Sequence, residues 1–118
     1  MSLTTKIDIK RTYDLPLGTD GYSVLVDRIW PRGIKKEALH HDLWLKDVAP
    51  SSLLRKWFNH KPEKFDEFSK RYLQELSSNA AYDVLKELVA KHKKITLLYS
   101  AKDELHNQAV VLKELLDK

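Results

Sequence analysis

Two stretches of consecutive apolar residues stand out from the mixed pattern of the chain. YSVLVDR at 22–28 places three aliphatic residues in a row, and KKITLLYSA at 93–101 contains a similar run. Such runs are typical of strands that are covered on both faces, as in a parallel sheet. KIDIK at 6–10 instead alternates isoleucine with charge, which predicts a half-buried strand at the edge of the sheet.

Between and after these runs, apolar residues recur at helical spacing. Ser51 is predicted to cap one helix, and Pro62 to occupy the first turn of the next. A further helix is predicted over 80–92 and a last one over 103–118. The residues expected to face the core are Leu54, Trp57 and Phe58 in the first helix, Phe65, Phe68, Tyr72, Leu73 and Leu76 in the second, Ala81, Leu85, Leu88 and Val89 in the third, and Leu105, Ala109, Leu112 and Leu116 in the last.

Two segments near the middle of the chain give weaker patterns. IKKEALHH at 34–41 is a short candidate helix. DLWLKDVAP at 42–50 alternates imperfectly, so it is either a short strand or a loop.

The order of these elements predicts the fold class. Two buried strands with helices between and after them favour an α/β fold, and no repeat or linker divides residues 1–118. We therefore expect a single domain with a small, mainly parallel sheet of three or four strands flanked by helices. Parallel pairing of 22–28 with 95–100 would bring the carboxyl ends of both strands to the same edge, where ligands of open α/β sheets tend to bind.

Composition narrows the class of protein. The 118 residues include no cysteine, which excludes disulfides, thiol nucleophiles and thiolate metal sites. No apolar run approaches the roughly 18 residues of a membrane helix, and the first residues lack the apolar core of a signal peptide. These features predict a cytoplasmic protein without membrane contact. The net charge of +4 permits an anionic partner but does not demand one.

The stretch VLVDRIWPRG at 24–33 carries the first candidate site. Arg28 and Arg32 are forked donors suited to a phosphate or carboxylate, and Trp30, fixed by the following proline, could wall a pocket. Gly33 permits a positive φ or a close backbone approach before the predicted helix at 34–41. The alternative is a surface turn in which the tryptophan belongs to the core and the arginines pair with Asp27 or Asp42.

The stretch YSAKDELHN at 99–107 carries the second. Ser100 and Asp103 have the spacing of a capping box, which by itself explains the acid. His106 could act as an acid or base if it meets Asp27 in the fold, which makes these two the candidate catalytic residues. Ser100, Lys102 and Asn107 join the candidate ligand-binding residues.

The pair of histidines in HHD at 40–42 lacks the spacing of a metal site. Neither a metal nor a cofactor is therefore predicted.

VLVDRIWPRGI, DLWLKDVAPSSLLRKWFNH and LLYSAKDELHNQAVVL together resemble the YeaO-like branch of the bacterial domain-of-unknown-function 488 family, from about residue 5 to 117. The resemblance implies a compact α/β domain of bacterial cytoplasmic origin, and it implies no established reaction. Longer relatives tend to carry a Cys-His-Arg type run where this chain has Asn107, Gln108 and Ala109.

The function that these features predict is recognition of a small anionic or phosphate-bearing ligand at the carboxyl ends of the strands. Whether catalysis follows binding is left open. The competing class is a non-catalytic module that binds nucleic acid or protein through a basic surface.

Overall fold

The computed structural model describes residues 5–13, 21–35, 39 and 41–117. Within this part of the chain, four parallel strands form one sheet in the order β1-β4-β2-β3. The strands are β1 at Lys6–Arg11, β2 at Tyr22–Leu25, β3 at Leu43–Trp44 and β4 at Lys94–Tyr99. This confirms the predicted small parallel sheet and the edge position of the first strand.

The apolar run at 93–101 forms the centre of the sheet. Its strand, β4, pairs with β1 through Ile95 opposite Ile7, and with β2 through Leu97 opposite Val24. Strand β2 ends at Leu25, earlier than the predicted 28, although the backbone N–H of the next residue still donates to the Leu98 carbonyl at 3.0 Å. The segment at 42–50 contributes the short strand β3, so the strand alternative for that segment is correct.

Four α-helices flank the sheet in the described part of the chain. They are α1 at Ser52–Phe58, α2 at Phe65–Leu76, α3 at Ala80–Lys91 and α4 at Gln108–Leu116. The hydroxyl of Ser51 accepts the N–H of Leu54 at 3.1 Å, which confirms the predicted cap. Pro62 lies in a 3-10 turn directly before α2 and not in the first turn of the α-helix, where it was predicted. Each helix in the described part of the chain is too short or too polar to span a lipid bilayer.

The last helix begins later than predicted. Asn107 is its N-cap and accepts the N–H of Val110 at 3.1 Å, so α4 starts at Gln108 and not near 103. The predicted capping box is wrong, because the Asp103 carboxylate accepts the N–H groups of Leu105 and His106 within a turn before the helix. Leu105, expected in the core, is consequently 72% exposed.

The helix predicted at 34–41 and the predicted burial of Leu73 are both wrong. The described residues of the proposed helix at 34–41, which are Ile34, Lys35, Leu39 and His41, lie in no helix, and the rest of that segment lies outside the described residues. Leu73 is 48% exposed, because the buried face of α2 follows Phe68, Tyr72 and Leu76 at intervals of four. Leu73 follows Tyr72 directly and therefore points to a different side of the helix.

The core has two parts. The larger lies between the sheet and the helices and includes Tyr72 and Phe68 from α2, together with Leu85 and Leu112. Trp57, Phe65 and Leu88, predicted to be buried, are half-buried and pack against it. The smaller cluster comprises Leu25, Leu39 and Leu98, with Trp30, Ile34 and Trp44 packed against them.

Candidate functional site

The carboxyl ends of the parallel strands meet at one edge of the sheet, called here the strand-end edge, and Asp27 lies there. This residue follows β2, and Ser100 follows the neighbouring β4. The Asp27 carboxylate accepts hydrogen bonds from the hydroxyl and the backbone N–H of Ser100. The side-chain amide of Gln108, in the first turn of α4, donates to the same carboxylate at 2.5 Å. The structure thus brings Asp27 and Ser100 together, as predicted.

The electrostatics of Asp27 follow from its burial. Desolvation raises the pKa of the Asp27 carboxyl above its ordinary value, and this effect exceeds the lowering by hydrogen bonds from Ser100 and Gln108 and by the charge of Arg55. A carboxylate whose oxygens are already occupied by three internal donors is suited to tie elements together. These donors use most of the hydrogen-bonding positions of its two oxygens.

Arg28 is fixed by the loop before α1. Its Nη2 donates to the Ala49 carbonyl at 3.2 Å and its Nε to the Pro50 carbonyl at 3.3 Å. These bonds hold the half-buried guanidinium in one place and leave the N–H groups of Nη1 without a described partner. No ion pair joins it to Asp27 or Asp42 within the described residues, and Asp42 instead accepts the N–H of Ser23 at 2.8 Å.

Trp30 belongs to the smaller core cluster. Its Nε1 donates to the Ile34 carbonyl at 2.6 Å. Its ring meets the rings of Trp44 and His41 edge-on, with centroids 5.3 and 5.1 Å apart. The indole is therefore already packed on its own neighbours, and it can wall the strand-end edge but is poorly placed to stack on a ligand.

Gly33 has a φ of +82°, the backbone conformation that its place in the sequence suggested. The side chain of Arg32 is exposed, while its carbonyl accepts the hydroxyl of Tyr13 at 2.9 Å. The N–H of Ile34 is directed to the Pro31 carbonyl at 3.4 Å. The anion site proposed at a helix start here therefore has no helix in the described residues to supply it.

His106 and Asp27 have separate partners. The Nδ1 of His106 lies 2.8 Å from the Asp103 carboxylate, and its imidazole meets the Phe65 ring edge-on at 5.1 Å. Hydrogen bonds from the Leu105 backbone and from His106 lower the pKa of the Asp103 carboxyl. Within the described residues no hydrogen bond or ion pair joins His106 to Asp27, the contact on which their role as a catalytic pair depended.

Of the other predicted residues of the 99–107 stretch, some have hydrogen-bond partners within the fold and one is exposed to solvent. Asn107 is 2% exposed; its amide donates to the Asp103 carbonyl at 2.9 Å while its oxygen caps α4. Its contacts are those of a structural residue. Lys102 is exposed, beyond the end of β4. The Ser100 hydroxyl also lies 3.3 Å from that of Thr12, after β1.

Two residues at this edge were missed by the sequence reasoning. Gln108 contacts Asp27 from 81 positions away, and a glutamine at a helix start carries no chemical signature of its own. Its place directly after the cap of a helix that follows a strand was the available signal. Arg55, in α1, was not singled out in the sequence, yet its charge lowers the pKa of the Asp27 carboxyl.

Four cations at the strand-end edge form no ion pair within the described part of the chain, although the charge of one of them, Arg55, lowers the pKa of the Asp27 carboxyl. Ion pairs occur elsewhere, between Arg71 and Glu67 and between Lys113 and Asp117, for example. By contrast, no described carboxylate forms an ion pair with the four edge cations, which are Arg28, Arg32, Arg55 and Lys102. No group of three or more metal-ligating side chains occurs among the described residues either. The positive charge of these four side chains is therefore not offset by an ion pair within the described residues.

Comparison with known sequences identifies the family. The family described as the inactive DUF488-N3 subclade matches residues 6–118. The chain belongs to this DUF488 subclade. Uncharacterized protein YeaO of Escherichia coli is 44% identical over 110 residues, which cover 93% of this chain and 96% of YeaO. An uncharacterized protein of Mycobacterium tuberculosis is 42% identical over 113 residues, which cover 96% of this chain and 95% of that protein.

These matches confirm the YeaO-like resemblance that the motifs indicated. No solved structure matches the DUF488 chain.

Proposed function

We propose that this protein recognises a small anionic group, a carboxylate or a phosphate, at its strand-end edge without acting on it chemically. The observation that carries the proposal is the set of four edge cations that form no ion pair with a described carboxylate. A bound anion would offset the mutual repulsion of these cations and accept their hydrogen bonds. The net charge of +4 supports the same preference.

Binding without chemistry is favoured by the arrangement of the two proposed proton-handling residues. The Asp27 carboxylate is engaged by Ser100 and Gln108, and within the described residues no hydrogen bond or ion pair joins it to His106. The two residues therefore do not form the acid–base pair that the sequence suggested. The description of the matching subclade as inactive supports the same choice.

The edge cations would contribute differently to binding. Arg28 is pre-positioned by the carbonyls of residues 49 and 50 and would direct its free N–H groups to the ligand at little entropic cost. Arg32, Arg55 and Lys102 are exposed and would close on the anion from solvent. The relatives are bacterial proteins and the chain has no cysteine, so the proposal includes a bacterial cytoplasmic setting.

Thermal unfolding in phosphate and in chloride of equal ionic strength tests the proposal. Phosphate should raise the melting temperature of the wild type, because only the folded state binds it. Lys102→Ala and Arg32→Ala should reduce that rise. Arg32→Ala should otherwise leave stability within about 0.5 kcal/mol, because the bond from Tyr13 reaches the backbone of Arg32.

Lys70→Ala is the matched control, since Lys70 is exposed on α2 and no described contact involves its side chain. Equal phosphate shifts in Lys70→Ala and Lys102→Ala would show a general salt effect and contradict the proposal. Tight binding of DNA that falls steeply with salt, together with no phosphate shift, would instead favour a nucleic-acid module.

A further inference from the structure

Three large aliphatic side chains at the strand-end edge are left in solvent. Ile29 is 64% exposed, Leu53 81% and Leu105 72%. We call these three residues the apolar rim. Each lies at the start or end of an element: after β2, in the first turn of α1 and just before α4. Single exposed aliphatics are ordinary, but a set around one edge indicates a contact surface.

Hydrogen bonds connect the rim to the same edge as the cations. Ile29 follows Arg28 directly. Leu53 comes three residues after Pro50, whose carbonyl accepts Nε of Arg28. Leu105 comes three residues before Gln108, whose amide donates to Asp27. Since three residues of chain span at most about 10 Å, Leu53 and Leu105 each lie within about 10 Å of chain from a residue bonded at the Asp27–Arg28 corner of the sheet.

We propose that the apolar rim is a docking surface for an acidic protein segment that carries large aliphatic side chains. The anion at the strand-end edge is then a carboxylate of that segment. This inference rests on the proposed function, because it assigns the anion to a partner and uses the same edge cations. The aliphatic side chains of the segment would cover the rim while its acids contact Arg55 and Lys102.

The charges beside the rim favour a protein over a lipid surface. Asp103 and Glu104 lie directly before Leu105, and the pKa of the Asp103 carboxyl is lowered by its hydrogen bonds, so it stays ionised. A uniformly anionic membrane would be repelled there. A protein segment can meet these two acids with a basic or polar side chain and meet the edge cations with its own acids.

The chemistry of the rim also favours a protein over a single-stranded nucleic acid. Surfaces that bind single strands combine cations with exposed aromatic rings on which bases stack. The three rim residues are aliphatic. The exposed ring of Tyr13, after β1, is held by its hydroxyl on the Arg32 carbonyl and has the Arg11 guanidinium 5.5 Å from its centroid, so one face is already occupied. The nearby indole of Trp30 is half-buried, with its N–H bonded to the Ile34 carbonyl.

Selection from a random-peptide display library tests the inference. Peptides recovered on the wild-type protein, and lost on a Leu53→Ser/Leu105→Ser double variant, should be rich in Asp and Glu together with Leu, Ile or Phe. Fluorescence anisotropy of one such peptide should show Kd rising about tenfold in Leu53→Ser or Leu105→Ser, as expected when one well-placed contact is lost.

Leu73→Ser and Val84→Ser are matched controls, because both residues are exposed aliphatics on α2 and α3. Their Kd values should stay at the wild-type level. Equal weakening in controls and rim variants overturns the inference, and so does a selection that recovers no acidic, aliphatic peptides. Rim-dependent binding of phosphatidylglycerol vesicles or oligothymidylate, without peptide binding, overturns it in favour of that ligand.

Failure of the inference can be separated from failure of the proposed function. A phosphate shift that is lost in Lys102→Ala, without acidic peptide binding, leaves the proposed function standing and overturns the inference. Peptide binding that depends on the rim but not on Lys102, with equal phosphate shifts in all variants, overturns the proposed function and the assignment of the anion. Peptide binding that depends on both supports the full proposal.

Discussion

The side-chain amide of Gln108 donates a 2.5 Å hydrogen bond to Oδ1 of Asp27, joining the first turn of α4 to the end of β2 across 81 positions of sequence. Ser100, at the end of β4, donates to the same carboxylate. One acid therefore connects two neighbouring strands and the helix that follows them. This junction links the elements that form the strand-end edge.

Replacing Gln108 with alanine should loosen the junction. The buried carboxyl of Asp27 would lose one of its donors, and a lost hydrogen bond to a charged group typically costs about 1.5–3 kcal/mol. We expect a fall of that size in the free energy of unfolding, measured by urea denaturation near neutral pH. The pKa of the Asp27 carboxyl should also rise further.

Gln74→Ala is the control, because Gln74 is exposed on α2. Its loss should stay within about 0.5 kcal/mol. A Gln108→Ala protein as stable as this control would show that the contact with Asp27 contributes nothing to the fold.

The strands were predictable because their signal is local. The runs at 22–28 and 93–101 have no polar alternation, and only a sheet covered on both faces accommodates such strands. The start of α4 was not predictable in the same way. Both Asp103 and Asn107 are good capping residues, and the choice of Asn107 depends on its burial against the fold, which the sequence pattern does not report.

The sequence predicted the position of the candidate site more successfully than the contacts of its side chains. Parallel strands bring their carboxyl ends together, so the meeting of Asp27 with Ser100 followed from the topology. The partners of individual side chains did not. His106 bonds to an acid three residues away, and Arg28 bonds to backbone carbonyls that have no sequence signature.

The raised pKa of Asp27 gives stability a definite dependence on pH. Because the folded-state pKa lies above the unfolded value, the folded protein binds the proton more tightly. The contribution of Asp27 is therefore most favourable below the unfolded pKa and declines as the pH rises through the folded pKa. Asp27→Asn, which cannot ionise, should lack this decline.

Urea denaturation of both proteins between about pH 3 and pH 7 measures the effect. The free energy of unfolding of Asp27→Asn minus that of the wild type should increase with pH, whatever its absolute value. Asp103→Asn should show the opposite trend, because hydrogen bonds lower the pKa of that carboxyl and its contribution is lost as the pH falls. A flat difference for Asp27→Asn would mean that burial does not control its titration.

Two glycines have nearly equal positive φ angles but differ in the space around them. Substituting each with alanine therefore distinguishes the cost of backbone strain from the cost of a steric clash. Gly21 has a φ of +84° and Gly33 of +82°. A Cβ at Gly21 would lie 2.4 Å from the carbonyl oxygen of Lys94, at the start of the central strand, whereas one at Gly33 would meet nothing within 4 Å.

Gly33→Ala should therefore cost only the strain of the left-handed conformation, about 1–2 kcal/mol. Gly21→Ala should cost roughly 1–3 kcal/mol more, because the Lys94 carbonyl belongs to the sheet backbone and cannot move aside freely. Equal losses in urea denaturation would show that Gly21 is required for its φ alone.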